Sequence, residues 1–242
     1  MRPRSRNPRQ AGGDREEEPR RDPRPGRVTR IEPQRHDPDR VSIFIDGEFA
    51  FGLPALEADV QGVAVGEEID GERLALLLAL DEKARAVSAA LAFLAYRPRS
   101  EREVRDRLRQ KGYPPEAIEA AAEKLIGWRY LDDADFARRW VENRETHQPR
   151  GRRLLEQELR RKGIDRDTAR DTVEEAGIDE RATALELARD RLRRLSGSDP
   201  AANRRRLADF LARRGYGWDV VRPTLDAVLG EADEGGLDPD EG

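Results

Sequence analysis

Residues 100–113, with the sequence SEREVRDRLRQKGY, decide the fold because their pattern returns twice further along the chain. The offsets are 51 and 52 residues, and an apolar position one helical turn before the leucine recurs with them. The matched positions are Val104, Leu155 and Leu207, then Leu108, Leu159 and Leu211, then Lys111, Lys162 and Arg214, then Gly112, Gly163 and Gly215. A fixed period with matched apolar anchors indicates tandem supersecondary units rather than one closed domain.

Within the first copy, the local signals predict a helix, a turn and a second helix. Ser100 and Glu103 have the spacing of a capping box, and Gly112 stands where a left-handed residue ends a helix. Pro114 and Pro115 follow, and proline suits a first helical turn. With the leucine-rich segment that precedes it, each copy becomes a unit of three helices.

The predicted fold class is mainly α, with three tandem three-helix repeats in an elongated array behind a small β-containing segment. Hydrophobic residues make up 36% and aromatic residues 5% of the chain, which is lean for one thick core and favours a thin array. The predicted bounds are 79–127, 128–177 and 178–230 for the repeats, and 27–78 for the N-terminal region.

The N-terminal region has the pattern of a three-stranded meander over residues 27–53. Two apolar runs are separated by Asp46 and Gly47, the strongest local signal for a hairpin with a type I′ turn. Three strands cannot bury both faces, so we expect Ile43, Phe49 and Phe51 to need a covering helix.

Further along, residues 54–60 suggest a short helix and residues 62–69 an extended segment. Asp70 has the character of an N-cap for a helix that runs towards Leu94 and is ended by Pro98. The pattern leaves open whether this is one helix or two broken near Asp81.

The two ends of the chain have opposite charge. Residues 1–26 carry eight arginines against five acidic residues, and residues 230–242 carry six acidic residues and no basic one. Both are poor in apolar side chains, so we predict disordered tails at 1–26 and 231–242.

Several classes of protein are disfavoured by what the sequence lacks. There is no cysteine, no apolar run approaching 18 residues and no lysine directly after a glycine, which argues against disulfides, membrane spans and a phosphate-binding P-loop. Motifs for dinucleotide binding, nucleophilic serine and zinc proteolysis are missing as well. We expect a cytoplasmic protein that is not an enzyme and has no cofactor.

Two groups of residues are candidates for chemical sites. His36 and His147 have no second imidazole nearby, which disfavours a catalytic or metal role. Asp132, Asp133 and Asp135 could bind Mg²⁺, but acids in the first turn of a helix are already favoured by its dipole. We therefore expect no metal site and no catalytic residue.

The basic residues are more informative. When Val104 and Leu108 face the core, Arg102 and Arg109 point away from it, and Arg102 has an arginine equivalent in every repeat. The predicted basic stripe, facing a partner or DNA, consists of Arg102, Arg109, Arg153, Arg160, Arg161, Arg205 and Arg213.

Charge counts support that stripe. Residues 97–111 hold seven basic and three acidic residues, 150–162 six and two, and 204–214 five and one, so each segment has a net charge of +4. A single charged helix face is normally only solvated, but its recurrence in three repeats favours a surface that faces a polyanion or an acidic protein. The aromatic residues Trp128, Tyr130, Phe136 and Trp140 could stack on unpaired bases, although their helical spacing favours the core.

Five segments of the chain resemble the RecX family of RecA regulators. They are RVSIFIDGEFAFGL at 40–53, RPRSEREVRDRL at 97–108, YLDDADFARRWVENR at 130–144, PRGRRLLEQELRRKGI at 149–164 and LADFLARRGY at 207–216. The resemblance implies a curved molecule of three three-helix repeats. It also implies a non-enzymatic inhibitor that binds the RecA filament on single-stranded DNA and suppresses ATP hydrolysis, strand exchange and coprotease activity.

Two other interpretations stay open. The short turn between second and third helices resembles a helix-turn-helix, which suggests a helical-repeat module that binds DNA directly. A scaffold without nucleic-acid contact would leave the threefold arginine position unexplained. As partners we expect RecA and its filament, with weak direct DNA binding, no membrane and a monomeric chain.

Overall fold

The computed structural model describes residues 22–195 and 199–234, which form ten helices and four strands. The chain divides into two compact units, Met1–Asp81 and Glu82–Gly242. Of the predicted disordered tails at 1–26 and 231–242, residues 1–21 and 235–242 lie outside the described residues, as does most of the predicted break at 196–200. Gly26 was assigned to the tail, and this was wrong, since it begins the first strand. None of the helices in the described part combines the length and apolar character needed to cross a bilayer.

The first unit contains a four-stranded antiparallel sheet in the order β3-β2-β1-β4. Its strands are β1 (Gly26–Gln34), β2 (Asp37–Ile45), β3 (Glu48–Pro54) and β4 (Glu68–Ile69). Asp46 and Gly47 have φ angles of 48° and 87°, which confirms the predicted type I′ turn. The predicted extended segment contributes β4, which pairs with the start of β1 and adds a fourth strand to the expected meander.

One face of the sheet is covered by α1 (Ala55–Val60) and the first turns of α2 (Gly71–Leu94). Ile43 and Phe51 are buried there, as expected. Phe49 was expected to be covered as well, and this was wrong, since it is 50% exposed. A register shift pairs it with Phe44 across the strand, and the two rings meet edge to face 5.9 Å apart.

Helix α2 is one unbroken helix through Asp81, which settles the point that the sequence left open. Its N-cap is Asp70 as predicted, since the carboxylate accepts the backbone N–H of Arg73 at 2.8 Å. The helix ends at Leu94, four residues before Pro98. The partly buried carboxylate of Asp81 pairs with Arg40 of β2 within the first unit.

The second unit holds the three-helix repeats. After the C-terminal part of α2, its helices are α3 (Glu101–Gln110), α4 (Pro115–Gly127), α5 (Asp133–His147), α6 (Arg152–Arg161), α7 (Arg166–Glu175), α8 (Glu180–Arg193), α9 (Pro200–Arg213) and α10 (Trp218–Glu234). Each repeat has its own apolar cluster. The six apolar anchors, Val104, Leu108, Leu155, Leu159, Leu207 and Leu211, have no exposed surface.

Local signals at the helix ends behave as predicted, with one correction. Ser100 and Glu103 form both halves of the capping box, and Gly112 is left-handed at φ +83°. The acidic tail was expected to begin at residue 231, but α10 continues to Glu234. In its last turns, Glu231 pairs with Arg189 of α8 at 2.5 Å. That bidentate pair offsets the unfavourable placement of acids at a helix C-terminus.

Candidate partner-facing basic surface

The second helices of the three repeats, α3, α6 and α9, meet head to tail. Ser100, the N-cap of α3, donates its hydroxyl to the carbonyl of Lys162, the C-cap of α6, at 2.5 Å. Gly151, the N-cap of α6, donates its N–H to the carbonyl of Arg214, the C-cap of α9, at 2.8 Å. In both joints the N-cap residue of one second helix donates to the C-cap carbonyl of the next, which joins the three basic segments end to end.

A second contact is also common to both joints. The first backbone N–H of α3, at Glu101, donates to the carboxylate of Asp133 at 2.8 Å. The first N–H of α6, at Arg152, donates to Glu180 at 2.9 Å. Asp133 is the first residue of α5, and Glu180 is the first residue of α8; each begins the first helix of the next repeat. The backbone N–H that would otherwise be free at the start of α3 or α6 is therefore hydrogen-bonded by the next repeat.

Close backbone packing at the joints explains two of the recurring glycines. Gly163 and Gly215 have φ angles of +97° and +89°. A Cβ at Gly163 would overlap the side chain of Arg102, and one at Gly215 would overlap Leu154. These glycines are needed for the joint as well as for the helix end.

The seven arginines of the basic stripe are all exposed. Arg102 and Arg109 share one carboxylate, Asp106, at 3.7 and 2.5 Å. The remaining five form no ion pair with any residue in the described ranges; they are Arg153, Arg160, Arg161, Arg205 and Arg213. The positive charge available to a partner is therefore greater along α6 and α9 than along α3.

The joints determine which of these arginines are neighbours. The stem of Arg102 lies on Gly163, two residues after Arg161. Leu154, next to Arg153, lies on Gly215, two residues after Arg213. Each joint thus brings an arginine at the start of one second helix to the basic last turn of another.

The third repeat departs from the predicted equivalence in one respect. Arg102 and Arg153 lie in the first turn of their helices, whereas α9 begins about one turn earlier and Arg205 lies inside it. All three still precede the first buried anchor by two residues, which keeps them on the outer face.

Electrostatics differ between the two joints. At the first, burial raises the pKa of Glu103, but hydrogen bonds from Lys162 and from the Ser100 backbone outweigh burial and leave that pKa below its usual value. The ammonium of Lys162 lies 2.7 Å from the Glu103 carboxylate, and both side chains are mostly buried. At the second joint, burial and the charge of Arg150 both lower the pKa of Arg214.

The expectation that the four aromatic residues belong to the core was wrong for two of them. Phe136 is buried, and Trp140 packs beside it and donates its indole N–H to Glu158 at 3.0 Å. Trp128 and Tyr130 are 50% and 60% exposed, because they lie after the last turn of α4, where the helical spacing no longer applies.

The three aspartates considered as Mg²⁺ ligands make structural contacts. Asp132 caps α5 by accepting the N–H of Asp135 at 2.8 Å, and Asp133 accepts the N–H at the joint. Asp135 pairs with Arg138 and Arg139. Each acid of the cluster has a protein partner, and all three lie at the start of α5, where the dipole interpretation placed them.

Four family profiles match this chain from residue 26 to residue 225. They are the regulatory protein RecX N-terminal domain at 26–70 and the first, second and third three-helix domains of RecX at 86–125, 132–173 and 179–225. The matched helical segments coincide with the three apolar clusters described above.

Relatives and solved structures agree with these profiles. "Regulatory protein RecX" of Clostridium botulinum is 31% identical to this chain over 84% of this chain and 96% of its own length. The protein of the same name from Bacillus velezensis is 32% identical over 86% of this chain and 79% of its own length. That of Mycobacterium avium is 41% identical over 62% of this chain and 86% of its own. A crystal structure of regulatory protein RecX superposes with a TM-score of 0.70 at 25% identity, over 83% of this chain and 98% of that one. The chain belongs to the RecX family of regulatory proteins.

Proposed function

We propose that this protein is a non-enzymatic regulator that binds the RecA filament on single-stranded DNA. There it inhibits ATP hydrolysis by RecA, strand exchange and coprotease activity, and so modulates DNA repair and recombination. It acts in the cytoplasm as a monomer and needs no cofactor. The proposal is supported by the regulatory naming of its relatives and by the chemistry of the basic stripe.

The observation that carries the proposal is the end-to-end contact of α3, α6 and α9. The two joints order three segments of net charge +4 along one direction. A filament on DNA presents a repeating row of phosphates and protein carboxylates, and a repeat array with matching periodic cations complements such a row. A compact ligand would require a concave site instead.

The test is the single-stranded-DNA-dependent ATPase rate of the cognate RecA, titrated with this protein. We expect the rate to fall at amounts of protein below one per RecA subunit, because one regulator on a filament affects many subunits. An unchanged rate over a full titration, with folded protein, would contradict the proposal.

A second candidate function is direct binding of single-stranded DNA, and one observation favours it. Trp128 and Tyr130 expose their rings in an edge-to-face arrangement with centroids 6.5 Å apart, and the ammonium of Lys124 lies 4.9 Å from the indole centre. Exposed rings with nearby cations are what unpaired bases stack on.

Salt dependence separates the two candidates. A complex held by six to ten phosphate contacts weakens roughly a thousandfold or more between about 50 and 200 mM salt. A complex held mainly by RecA weakens less. We expect the filament complex to tolerate salt better than the complex with DNA alone.

A further inference from the structure

The two joints differ by one carboxylate. At the first joint, the C-cap cation Lys162 is neutralised by Glu103 at 2.7 Å. The equivalent cation at the second joint is Arg214, and the position that corresponds to Glu103 is Leu154. Arg214 forms no ion pair within the described part of the chain; its guanidinium donates to the carbonyl of Pro149 at 3.2 Å and lies 4.6 Å from the centre of the Phe210 ring.

The cations around Arg214 are only partly compensated. The Nε of Arg150 lies 3.8 Å from a carboxylate oxygen of Glu158, and the other oxygen of that carboxylate already pairs with Arg144 at 2.8 Å. Arg152 stands 3.8 Å from Glu180. The Nε atoms of Arg150 and Arg152 are both buried and have no hydrogen-bond partner among the described residues.

Tyr216 follows Arg214 by two residues and carries a third polar group at this joint. Tyr216 is 4% exposed, and its buried hydroxyl has no hydrogen-bond partner in the described structure. Burial raises the pKa of Tyr216 to about 12, the Glu180 carboxylate adds to the rise, and Arg214 and Arg150 oppose it, so the hydroxyl remains a proton donor at neutral pH. A buried hydroxyl without a partner carries a desolvation cost that an acceptor would remove.

We propose that Arg150, Arg214 and Tyr216 form a binding site for a phosphate group at the joint between the second and third repeats. The two guanidinium groups supply charge and paired donors, and the phenol supplies a third direction of donation. A phosphodiester has two charged oxygens on a tetrahedral phosphorus, and each can accept more than one hydrogen bond, so donors from three directions can converge on it, whereas a carboxylate accepts donors close to its own plane. At the first joint, Glu103 already neutralises Lys162, so we expect no phosphate to bind there.

The source of the phosphate rests on the proposed function. Single-stranded DNA in the filament supplies phosphodiesters along the line of second helices, and free inorganic phosphate is the other source of the same chemistry. The neighbouring stripe residues Arg153 and Arg213 are exposed beside this joint and would extend the contact along a strand. We therefore assign the site to the DNA backbone.

The most direct variant gives the second joint the carboxylate that the first joint has. Leu154→Glu places a carboxylate where Glu103 stands relative to Lys162, so that it pairs with Arg214. Leu154→Gln is the matched control, since it has the same size without the charge. Both are compared for binding of a fluorescent oligothymidylate over a series of salt concentrations.

We expect Leu154→Glu to bind about tenfold more weakly than Leu154→Gln, a change typical of one charge-assisted hydrogen bond. The slope of log affinity against log salt should become shallower by about 0.7 for each phosphate that the variant no longer neutralises. Equal affinities and equal slopes would overturn the site. If Leu154→Glu does not fold, Arg214→Met serves instead, with Lys162→Met at the first joint as its control, and equal DNA binding by these two would likewise overturn it.

A second measurement identifies the source. Thermal unfolding is followed in inorganic phosphate against chloride at matched ionic strength. If phosphate stabilises Leu154→Gln selectively while both variants bind DNA equally, the site takes free phosphate and its assignment to DNA is wrong. These assays contain no RecA, so wild-type inhibition of the ATPase together with equal DNA binding would overturn this inference and leave the proposed function standing.

Discussion

Glu103 and Lys162 give the clearest test of how the repeats are held together. Their side chains are 20% and 25% exposed, and the ammonium lies 2.7 Å from the carboxylate, so solvent screens the pair only partly. The carboxylate also accepts the backbone N–H of Ser100 at 3.3 Å, which couples the ion pair to the capping box. Removing the Glu103 charge therefore weakens the joint and the start of α3 together.

The magnitude follows from those contacts. A hydrogen bond to a charged group contributes about 1.5–3 kcal/mol, and Glu103→Gln keeps part of the geometry, so we expect a loss of about 2 kcal/mol in the free energy of unfolding. For a protein of this size that corresponds to roughly 4–8 °C in Tm. Guanidinium chloride unfolding of Glu103→Gln, Lys162→Met and the double variant gives the coupling between the two side chains.

The pH dependence has a defined sign. The pKa of Glu103 is lowered in the folded state, so its contribution is present above the unfolded pKa and is lost as pH falls through the folded pKa. The difference between wild type and Glu103→Gln should be full at pH 7 and should shrink below about pH 4.5. A coupling near zero at pH 7 would refute the pairing, because Lys162 would then act only on the dipole of α6.

Two further predictions compare matched sites. Gly163→Ala should lower the free energy of unfolding by about 2–3 kcal/mol, because the new Cβ would overlap Arg102. Gly112 is also left-handed but has nothing near its Cβ position, so Gly112→Ala should cost only about 1 kcal/mol. Equal losses in thermal unfolding would argue against close packing at the joint. Phe51→Ala should lower stability by about 3–5 kcal/mol and Phe49→Ala by less than about 1 kcal/mol, since only the first is buried; a large loss at Phe49 would contradict the register described for β2 and β3.

The repeat structure could be predicted because its signals are local. Apolar anchors spaced four residues apart, such as Val104 and Leu108, and a left-handed glycine after each helix are readable within one helical segment. The type I′ turn at Asp46 and Gly47 belongs to the same class of signal. Recurrence at a fixed offset then indicates the number of repeats without any tertiary information.

Contacts across long sequence separations were not predictable in this way. Ser100 and Lys162 are 62 residues apart, and nothing in either segment indicates that an N-cap hydroxyl binds the end of another second helix. The extension of α10 is accompanied by the pair between Glu231 and Arg189, 42 residues apart. The exposure of Trp128 likewise depends on where α4 ends.

The missing carboxylate beside Arg214 can be read from the sequence, but the helix dipole offers a simpler explanation for a cation at that position. Lys162 and Arg214 each stand in a last helical turn, where the helix dipole alone accounts for a cation. Alignment of the repeats by their anchors sets Glu103 against Leu154 and shows that one of two equivalent cations lacks its carboxylate. Differences between repeats are as informative here as their similarities.

The exposed arginines of α3, α6 and α9 are central to the proposed engagement of the RecA filament. The most direct measurement is inhibition of the RecA ATPase by a variant with Arg102, Arg153 and Arg205 changed to Glu. Its control has the same change of charge at Arg166, Arg181 and Arg222, which are exposed on first and third helices. Both variants are first checked for cooperative unfolding. We predict that the first variant loses inhibition and the control retains it; equal inhibition by the two would contradict a role for the basic stripe.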